Sequence, residues 1–292
     1  ASAKPFITHH NALDIDLYLR IAPEMYLKRA IVGGFRKVFE FARCFRNEGM
    51  DATHLQDFTM LEGYGAYRNY KDNMAFLKDM LQTVISKIFG TLCIQVGDKM
   101  VDLSGEWPTV SFRELILQYA DIDIFVDDTA EKLLQKIVEK KIEIDSEVPL
   151  ENLGYGNLVD QLYKKVARPH LVNPVFLVEH PISLSPLARA NDENPNITDR
   201  FQLVINGAEI INAYSELVDP QEQERRLEEQ AKLKAGGDEE AMPMDYDYIS
   251  AMEYGMPPIS GWGIGIDRLI QLLTASDNIK DVVLFPLMRP KD

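Results

Sequence analysis

The chain has 292 residues, of which 46% are hydrophobic and 26% are charged, a mixture typical of a soluble globular protein with a sizeable core. Its 31 basic and 46 acidic residues give a formal net charge of −15, which argues against nucleic-acid binding through a broad basic face. No run approaches about 18 consecutive apolar residues, so we expect no membrane span. Cys44 and Cys93 lie far apart without metal-ligand spacing, and a cytoplasmic location is therefore expected.

The first third of the chain predicts a short strand and a helix over residues 15–31, followed by a hairpin. The segments VFEFARCF and FTMLEGYGAY are rich in aromatic and β-branched residues, and the polar segment NEGMDATHLQD separates them. Apolar residues spaced by three and four then predict a helix that ends near Gly90: Met74, Leu77, Leu81, Val84, Ile85 and Ile88.

The middle third is predicted to be mostly helical. Ser111 and Glu114 form a capping box before an apolar run, which indicates the start of a helix. Two further amphipathic patterns follow, at Leu133–Val138 and at Leu158–Val166. We interpret residues 111–170, approximately, as a helical insertion packed beside a sheet.

The last third returns to strands in RFQLVINGAEIINAYSEL, and Asp219-Pro220 then begins a charged helix that Gly236-Gly237 ends. The segment ISGWGIGIDRLIQLLT predicts a strand that leads into a helix. Strands grouped in hairpins, with the helices set apart, predict an α+β fold with an antiparallel sheet flanked by helices. The βαβ alternation of a parallel sheet is missing.

The predicted hairpin carries the first candidate site. Because side chains alternate along a strand, Phe58, Met60, Glu62 and Tyr64 share one face. An ionised glutamate beside aromatic residues is unusual in a buried position unless it has a partner. A functional face and a half-exposed sheet edge both remain open, and Arg46 with Glu48 is equally consistent with a surface ion pair.

A second candidate consists of Glu209, Asn212 and Glu216. The two carboxylates are seven positions apart, so they face one side of a strand only if a bulge or bend intervenes. Either the strand is an edge with solvated acids, or it lines a cation site.

A third candidate is GWGIGIDR, residues 261–268. The spacing of its glycines does not complete the dinucleotide-binding fingerprint, and a tightly packed glycine strand explains it equally well. Arg268 near a helix start opposes the helix dipole, so it needs an anion or a carboxylate such as Asp267 nearby.

In this order, the segments resemble class II aminoacyl-tRNA synthetases, and lysyl-tRNA synthetases most closely. FRNEGMDATHLQDFTMLEGY is similar to motif 2 of that family and GWGIGIDRL to motif 3. ITHHNALDIDLYLRIAPEMYLKR, EIINAYSELVDP and AMEYGMPPISGWGIGIDR resemble the lysine enzymes in particular. The resemblance extends over essentially the whole chain, and implies one catalytic domain at 1–292 that activates lysine with ATP and Mg²⁺.

The resemblance implies a role in ATP binding for six residues, one of which is Glu209. Arg46 would contact the α-phosphate and the lysine carboxylate, and Phe58 would stack on adenine with Arg268 on its other face. His54 would assist the β- and γ-phosphates, while Glu48 would lie near the adenine or the tRNA end. Arg46 and Arg268 would thus be the catalytic residues.

The resemblance also implies a lysine site and a metal site. Glu24 would meet the α-amino group and Asn212 the carboxylate of the substrate. The ε-ammonium would be held by Glu62, Tyr64 and Glu216. Glu209 would bind Mg²⁺.

Some positions depart from the family pattern. Gln202 stands where a second metal-binding glutamate is usual, which makes its role as a ligand doubtful. Leu55-Gln56-Asp57 replaces the commoner Asn-Pro-Glu, and Gly63 replaces a bulky residue. We therefore expect a more mobile ATP loop.

Motif 1 and the N-terminal OB-fold domain that reads the anticodon are expected to be absent from this chain. The homodimer of the full-length family is then in question, as is the tRNA(Lys) acceptor end as a partner. A stand-alone paralogue that lysylates a protein such as elongation factor P is one alternative. A regulatory module that binds lysine or a nucleotide without catalysis is another, and an aspartyl or asparaginyl enzyme is disfavoured because an acidic pocket repels aspartate.

Overall fold

The computed structural model describes residues 3–146, 149–235 and 242–288. Its strands are β1 (Ile7–His10), β2 (Ile15–Tyr18), β3 (Lys37–Phe45), β4 (Asp57–Ala66), β5 (Cys93–Val96), β6 (Lys99–Asp102), β7 (Thr109–Ser111), β8 (Val175–Val178), β9 (Arg200–Ile205), β10 (Ala208–Ser215) and β11 (Ile259–Gly265). Its α-helices are α1 (Glu24–Val32), α2 (Tyr70–Phe89), α3 (Phe112–Ala120), α4 (Ala130–Glu139), α5 (Tyr155–Val166), α6 (Pro220–Ala235), α7 (Tyr246–Glu253) and α8 (Ile266–Leu273).

The chain divides into two compact units. The first contains residues 1–69, 95–98 and 215–292, and the second contains residues 70–94 and 99–214. The predicted motif 2 and motif 3 segments lie in the first unit, whereas the predominantly helical middle of the chain lies in the second.

Three antiparallel strands form the sheet of the first unit, in the order β3, β4, β11. The predicted hairpin is confirmed, since β3 and β4 pair from Lys37 opposite Gly65 to Phe45 opposite Asp57. Helix α1 packs against β4 and α7, and α8 follows β11 directly and also packs on β4. The sheet therefore holds motif 2 and motif 3 side by side.

Helix α1 buries a face that is partly charged. Its buried residues are Glu24, Lys28 and Ile31, which follow the i, i+4, i+7 spacing of a single helical stripe. Charged side chains are rarely buried without partners, so we expect Glu24 and Lys28 to have charged or polar partners in the interior.

The second unit has an apolar core built by α3, α4 and α5 against β8 and β9. Its fully buried side chains include Ile116, Leu133, Leu158, Leu177 and Val204. The predicted capping box is present: Ser111 accepts a hydrogen bond from the backbone of Glu114, whose side chain accepts one from the backbone of Ser111. Helices do occupy much of 111–170, but their status as an insertion stays a prediction.

The predicted antiparallel sheet is confirmed for most of the described strand pairs, with one exception. Strands β8, β9 and β10 are antiparallel, but β7 pairs with β8 in parallel, with Thr109 opposite Phe176. The three helices between these strands form the crossover that a parallel pair requires. Strand β7 is only three residues long, too short to show a strand pattern in sequence.

Candidate active site

Strand β4 carries two buried polar side chains toward the centre of the first unit. Glu62 and Tyr64 are 5% and 6% exposed, and the Tyr64 hydroxyl donates a hydrogen bond to Glu62 Oε2 at 2.9 Å. Strand β4 lies between β3 and β11, so Glu62 and Tyr64 are not on a half-exposed sheet edge, which was the alternative left open by the sequence.

Gly261 on β11 lies directly opposite Tyr64 and lets two side chains approach the strand. A Cβ atom at this position would overlap the Tyr64 ring and would stand 2.6 Å from Glu216 Oε1. Glycine is required here by close packing, since only a residue without Cβ leaves that space. The same contact shows that Glu216 reaches the face of β4 that carries Tyr64.

Lys28 connects two carboxylates within this buried region. Its ammonium lies 2.7 Å from Glu24 Oε1, and it also pairs with Glu216 Oε2. The Lys28 side chain has no exposed surface, and its Nζ lies 6.0 Å from the ring centroid of Tyr248 on α7. We name the group Glu24, Lys28, Glu62, Tyr64 and Glu216 the acidic pocket.

Burial and mutual repulsion set the pKa values of these carboxyls. Burial raises the pKa of Glu216 to about 8, although Lys28 opposes the rise. Burial, together with the Glu24 charge, raises the pKa of Glu62 to about 7. Burial acts in the same direction on Glu24, but Lys28 overrides it and holds the Glu24 pKa well below its usual range. The pocket thus contains one firmly ionised carboxylate and two that titrate near neutrality.

The loop between β3 and β4, residues 46–56, is polar and more exposed. The Arg46 guanidinium lies over the Phe58 ring at 5.1 Å, and both side chains are half-buried. His54 Nδ1 lies 2.7 Å from Asp51 Oδ2. Partial burial opposes ionisation of Asp51, but hydrogen bonds from Thr53 and His54 lower its pKa. Glu48 is half-buried at the start of this loop.

Gln56 closes the base of the loop. Its side-chain amide donates hydrogen bonds to the backbone carbonyl of Gly49 at 2.8 Å and to that of Glu48 at 3.4 Å. Its backbone carbonyl accepts a hydrogen bond from the backbone N–H of Arg46 at 2.9 Å. Gln56 is one of the three residues, Leu55-Gln56-Asp57, that depart from the family pattern. Its hydrogen bonds link the end of the loop to its beginning. Greater mobility of the loop stays a prediction.

The motif 3 segment packs closely on β4. Asp267 is buried, and its Oδ2 accepts a hydrogen bond from the backbone of Thr59 at 2.6 Å. Arg268 follows it on α8 and is half-buried. Trp262 lies opposite Gly63, and a Cβ at Gly63 would overlap the indole. The small residue at position 63 is therefore matched by a large one at position 262.

In the second unit, strand β10 is irregular next to its acidic residue, Glu209. Its register against β9 shifts between Glu209 and Ile211, which is a β-bulge. The bulge places Glu209 and Asn212 on one face although their spacing is odd. Gln202 donates to Glu209 Oε2 at 2.5 Å, and Arg200 donates to Asn212 Oδ1 at 2.9 Å.

Known proteins resemble the chain over its whole length. The family model of class II tRNA synthetases (D, K and N) matches residues 1–289. The chain belongs to this family. It is 48% identical to a lysine–tRNA ligase of Enterobacter sp. (strain 638), over 99% of this chain and 57% of that protein.

Two other relatives of this class II family carry the same name. The heat-inducible lysine–tRNA ligase of Escherichia coli (strain K12) is 47% identical over 100% of this chain and 57% of its own length. The lysine–tRNA ligase of Porphyromonas gingivalis is 47% identical over 100% of this chain and 49% of its own length. The chain thus spans about half the length of the curated relatives that it matches.

Two features of this class II domain were missed in the sequence. Lys28 was not among the predicted site residues, although the i, i+4 spacing from Glu24 was a signal for an ion pair on one helical face. The complementarity of Gly63 and Trp262 was also missed, because 199 positions separate them and only strand pairing brings them together.

Proposed function

We propose that this chain activates L-lysine with ATP to form lysyl-adenylate and pyrophosphate, and then transfers the lysyl group to tRNA(Lys) with release of AMP. The observation that carries the proposal is the acidic pocket, in which the buried carboxylates of Glu24 and Glu216 pair with Lys28 and the buried Glu62 accepts a hydrogen bond from Tyr64. The common name of the relatives, lysine–tRNA ligase, supports the same reaction.

The acidic pocket suits a ligand with two ammonium groups. We assign Glu62, Tyr64 and Glu216 to the ε-ammonium and Glu24 to the α-ammonium. Charge-assisted hydrogen bonds contribute roughly 1.5–3 kcal/mol each, so two carboxylates at the ε-ammonium discriminate strongly against neutral side chains of equal length. Aspartate would bring a further negative charge into the pocket and is rejected, and asparagine carries no cation.

Adenylate formation joins two anions, the lysine carboxylate and the α-phosphate. We assign Arg46 to both, since its planar guanidinium binds carboxylate and phosphate in a defined geometry and offsets their repulsion. Phe58 and Arg268 would hold adenine between them, His54 would bind the β- and γ-phosphates, and Glu48 would lie near the adenine or the tRNA end. Positioning and charge stabilisation are then the main catalytic contributions.

The proposed Mg²⁺ ligand is Glu209. Among the residues that the structure describes, no group of three or more His, Cys, Asp or Glu side chains is placed to hold a metal ion by itself. Mg²⁺ is commonly held by one or two carboxylates together with substrate phosphates, so Glu209 would share the ion with ATP. When bound, the ion would neutralise the leaving pyrophosphate.

Three side chains of the second unit support this metal and carboxylate chemistry. Gln202 offers a neutral amide oxygen, so it is a weaker ligand than a carboxylate, and it already donates a hydrogen bond to Glu209. We assign Asn212 to the lysine carboxylate, with Arg200 holding its amide oxygen.

We include the acceptor end of tRNA(Lys) and a homodimer in the proposal, with the reaction in the cytoplasm. In the part of the chain that the structure describes, no helix is long and apolar enough to cross a membrane. Phe39 and Phe41 on β3 are 71% and 62% exposed, and they are apolar surface in the first unit that a second copy would cover.

Pyrophosphate exchange with single amino acids tests the first half-reaction. Lysine should support exchange, whereas aspartate and asparagine should not, and a preparation that binds lysine without exchange would be a regulatory module. Charging of tRNA(Lys) measured beside lysylation of elongation factor P then tests the acceptor. Lysylation of the protein alone would refute tRNA as the acceptor and leave lysine activation intact.

A further inference from the structure

Lys28 has no role in the proposed function, yet it lies between two carboxylates that are assigned to the substrate. It contacts Glu24, assigned to the α-ammonium, and Glu216, assigned to the ε-ammonium. Its side chain is completely buried, so these contacts are not those of a surface lysine. A role for Lys28 in substrate binding rests on the proposed function.

We propose that Lys28 is a positioning residue that makes the acidic pocket selective for lysine, as a permanent counter-cation that holds Glu24 and Glu216 in place. It does not touch the reacting atoms. It acts through the two carboxylates, whose separation it determines.

The charges in the pocket support this role. When Glu24, Glu62 and Glu216 are all ionised they carry three negative charges, and Lys28 reduces the total to two. The two ammonium groups of lysine would neutralise that remainder. Without Lys28, a third negative charge would stay in a buried region, where an uncompensated charge is strongly unfavourable.

The packing of α1 argues that Lys28 stays where it is. Lys28 is on the buried face of α1, which packs against β4 and α7, and its ammonium lies near the Tyr248 ring. The rival explanation is that Lys28 occupies the place of the substrate ammonium and is displaced on binding. Displacement would move a completely buried side chain and break the packing of α1.

Titration of the pocket distinguishes the two explanations. Among the residues that the structure describes, the titratable groups that interact with Lys28 include Glu24 on its own helix, Glu62 on β4, Tyr248 on α7 and Glu216 after β10, and Tyr64 donates a hydrogen bond to Glu62. Of these, Glu216 has a pKa raised to about 8 by burial, and Lys28 opposes the rise. A neutral residue at position 28 would move this pKa higher and leave less carboxylate to bind lysine near neutral pH.

The test measures the KM of lysine and of ATP in pyrophosphate exchange, between about pH 6 and pH 8.5, for Lys28→Met and Lys28→Arg. For Lys28→Met we expect the lysine KM at neutral pH to rise about tenfold or more, in line with the loss of a charged contact. The pH midpoint of lysine binding should move up by about one unit. The ATP KM should change little, and Lys28→Arg should restore the wild-type midpoint.

Exposed Lys37 on β3 provides the matched control, and Lys37→Met should leave both KM values and the midpoint unchanged. If Lys28→Met does not fold, Lys28→Gln retains a donor for the carboxylates without the charge and should show the same upward shift.

A lower lysine KM in the neutral variants would establish displacement by the substrate, and an unchanged midpoint would establish a purely structural lysine. Either result overturns the proposal while wild-type exchange with lysine still stands. Absence of exchange in the wild type would instead refute the proposed function itself.

Discussion

The acidic pocket and the loop of residues 46–56 lie in the same unit, and they differ in how their charges are held. In the pocket, Glu62 and Glu216 are buried and their contacts are with other side chains of the pocket. In the loop, Arg46 rests on an aromatic ring and His54 is about half exposed. A buried site selects its ligand through charges that are already in place. An exposed loop is suited to an anion that arrives with its own charge and brings the loop residues together.

We expect the largest effect from Arg46 in the loop and Arg268 in motif 3, whose loss should lower catalysis without affecting folding. Arg46→Ala and Arg268→Ala should each lower pyrophosphate exchange by about 100-fold or more, as expected when a charge contact of the transition state is lost. Their melting temperatures should stay near that of the wild type. Arg43→Ala is the control, since Arg43 on β3 pairs with Asp57 at an exposed position and should retain full exchange. A large loss of melting temperature in Arg46→Ala would identify a structural ion pair.

Substitutions in the acidic pocket should change the KM of lysine and leave that of ATP nearly unchanged. Glu62→Gln and Glu216→Gln should each raise the lysine KM about 10- to 100-fold, because a charge-assisted contact becomes a neutral one. The ATP KM should change little, since neither residue is assigned to the nucleotide. Steady-state exchange at varied lysine and varied ATP gives both values. Glu253→Gln, at an exposed position on α7, should change neither, and an equal rise in both KM values would argue against a lysine pocket.

A substitution at Gly261 tests the acidic pocket by steric crowding instead of by charge. Gly261→Ala should raise the lysine KM about tenfold or more, because its methyl group would overlap Tyr64 and crowd Glu216. Gly263 is the matched position on the same strand, where a Cβ would stand 3.5 Å from Glu62, an ordinary contact. Gly263→Ala should therefore have the smaller effect on lysine. Equal effects of the two alanines would show that the strand as a whole, and not the space at Gly261, is what matters.

The pH dependence should also differ between the two regions. Glu62 and Glu216 have pKa values raised to about 7 and about 8, so both accept protons as the pH falls from 8.5 toward 6. Protonated carboxyls bind an ammonium poorly, and the lysine KM should rise by about tenfold per pH unit below these values. The ATP KM should vary less over the same range. A lysine KM independent of pH would contradict the shared titration.

The smallest effect is on stability. Both carboxyls have pKa values in the folded protein above their unfolded value of 4.5, so the folded state binds more protons between about pH 4.5 and 8. Their contribution to the free energy of unfolding therefore falls as the pH rises through this window. Saturating lysine should offset that loss, and should raise the melting temperature by a few degrees more at pH 8.5 than at pH 6. Calorimetry with and without lysine measures the difference, and Glu216→Gln should reduce it.

Local patterns in the sequence determined several elements in each of the two units. The hairpin of β3 and β4, helix α2, the capping box at Ser111 and the strand that leads into α8 were all predicted, since each depends on residues a few positions apart. The family was also evident, because motif 2 and motif 3 are contiguous segments that need no tertiary information. These features repeat every two or four residues or stand together in the chain, so a linear reading suffices.

Only the tertiary structure decided how distant segments meet. Glu62 and Glu216 are 154 positions apart, and Lys28 pairs with Glu216, which lies 188 positions further along the chain. The parallel pairing of β7 with β8 and the bulge after Glu209 were likewise decided by strand partners that no local period specifies. A carboxylate in sequence carries no sign of whether it will be solvated or buried beside an ammonium. That outcome depends on which helix covers which strand, and here it turns one face of α1 into the wall of a charged pocket.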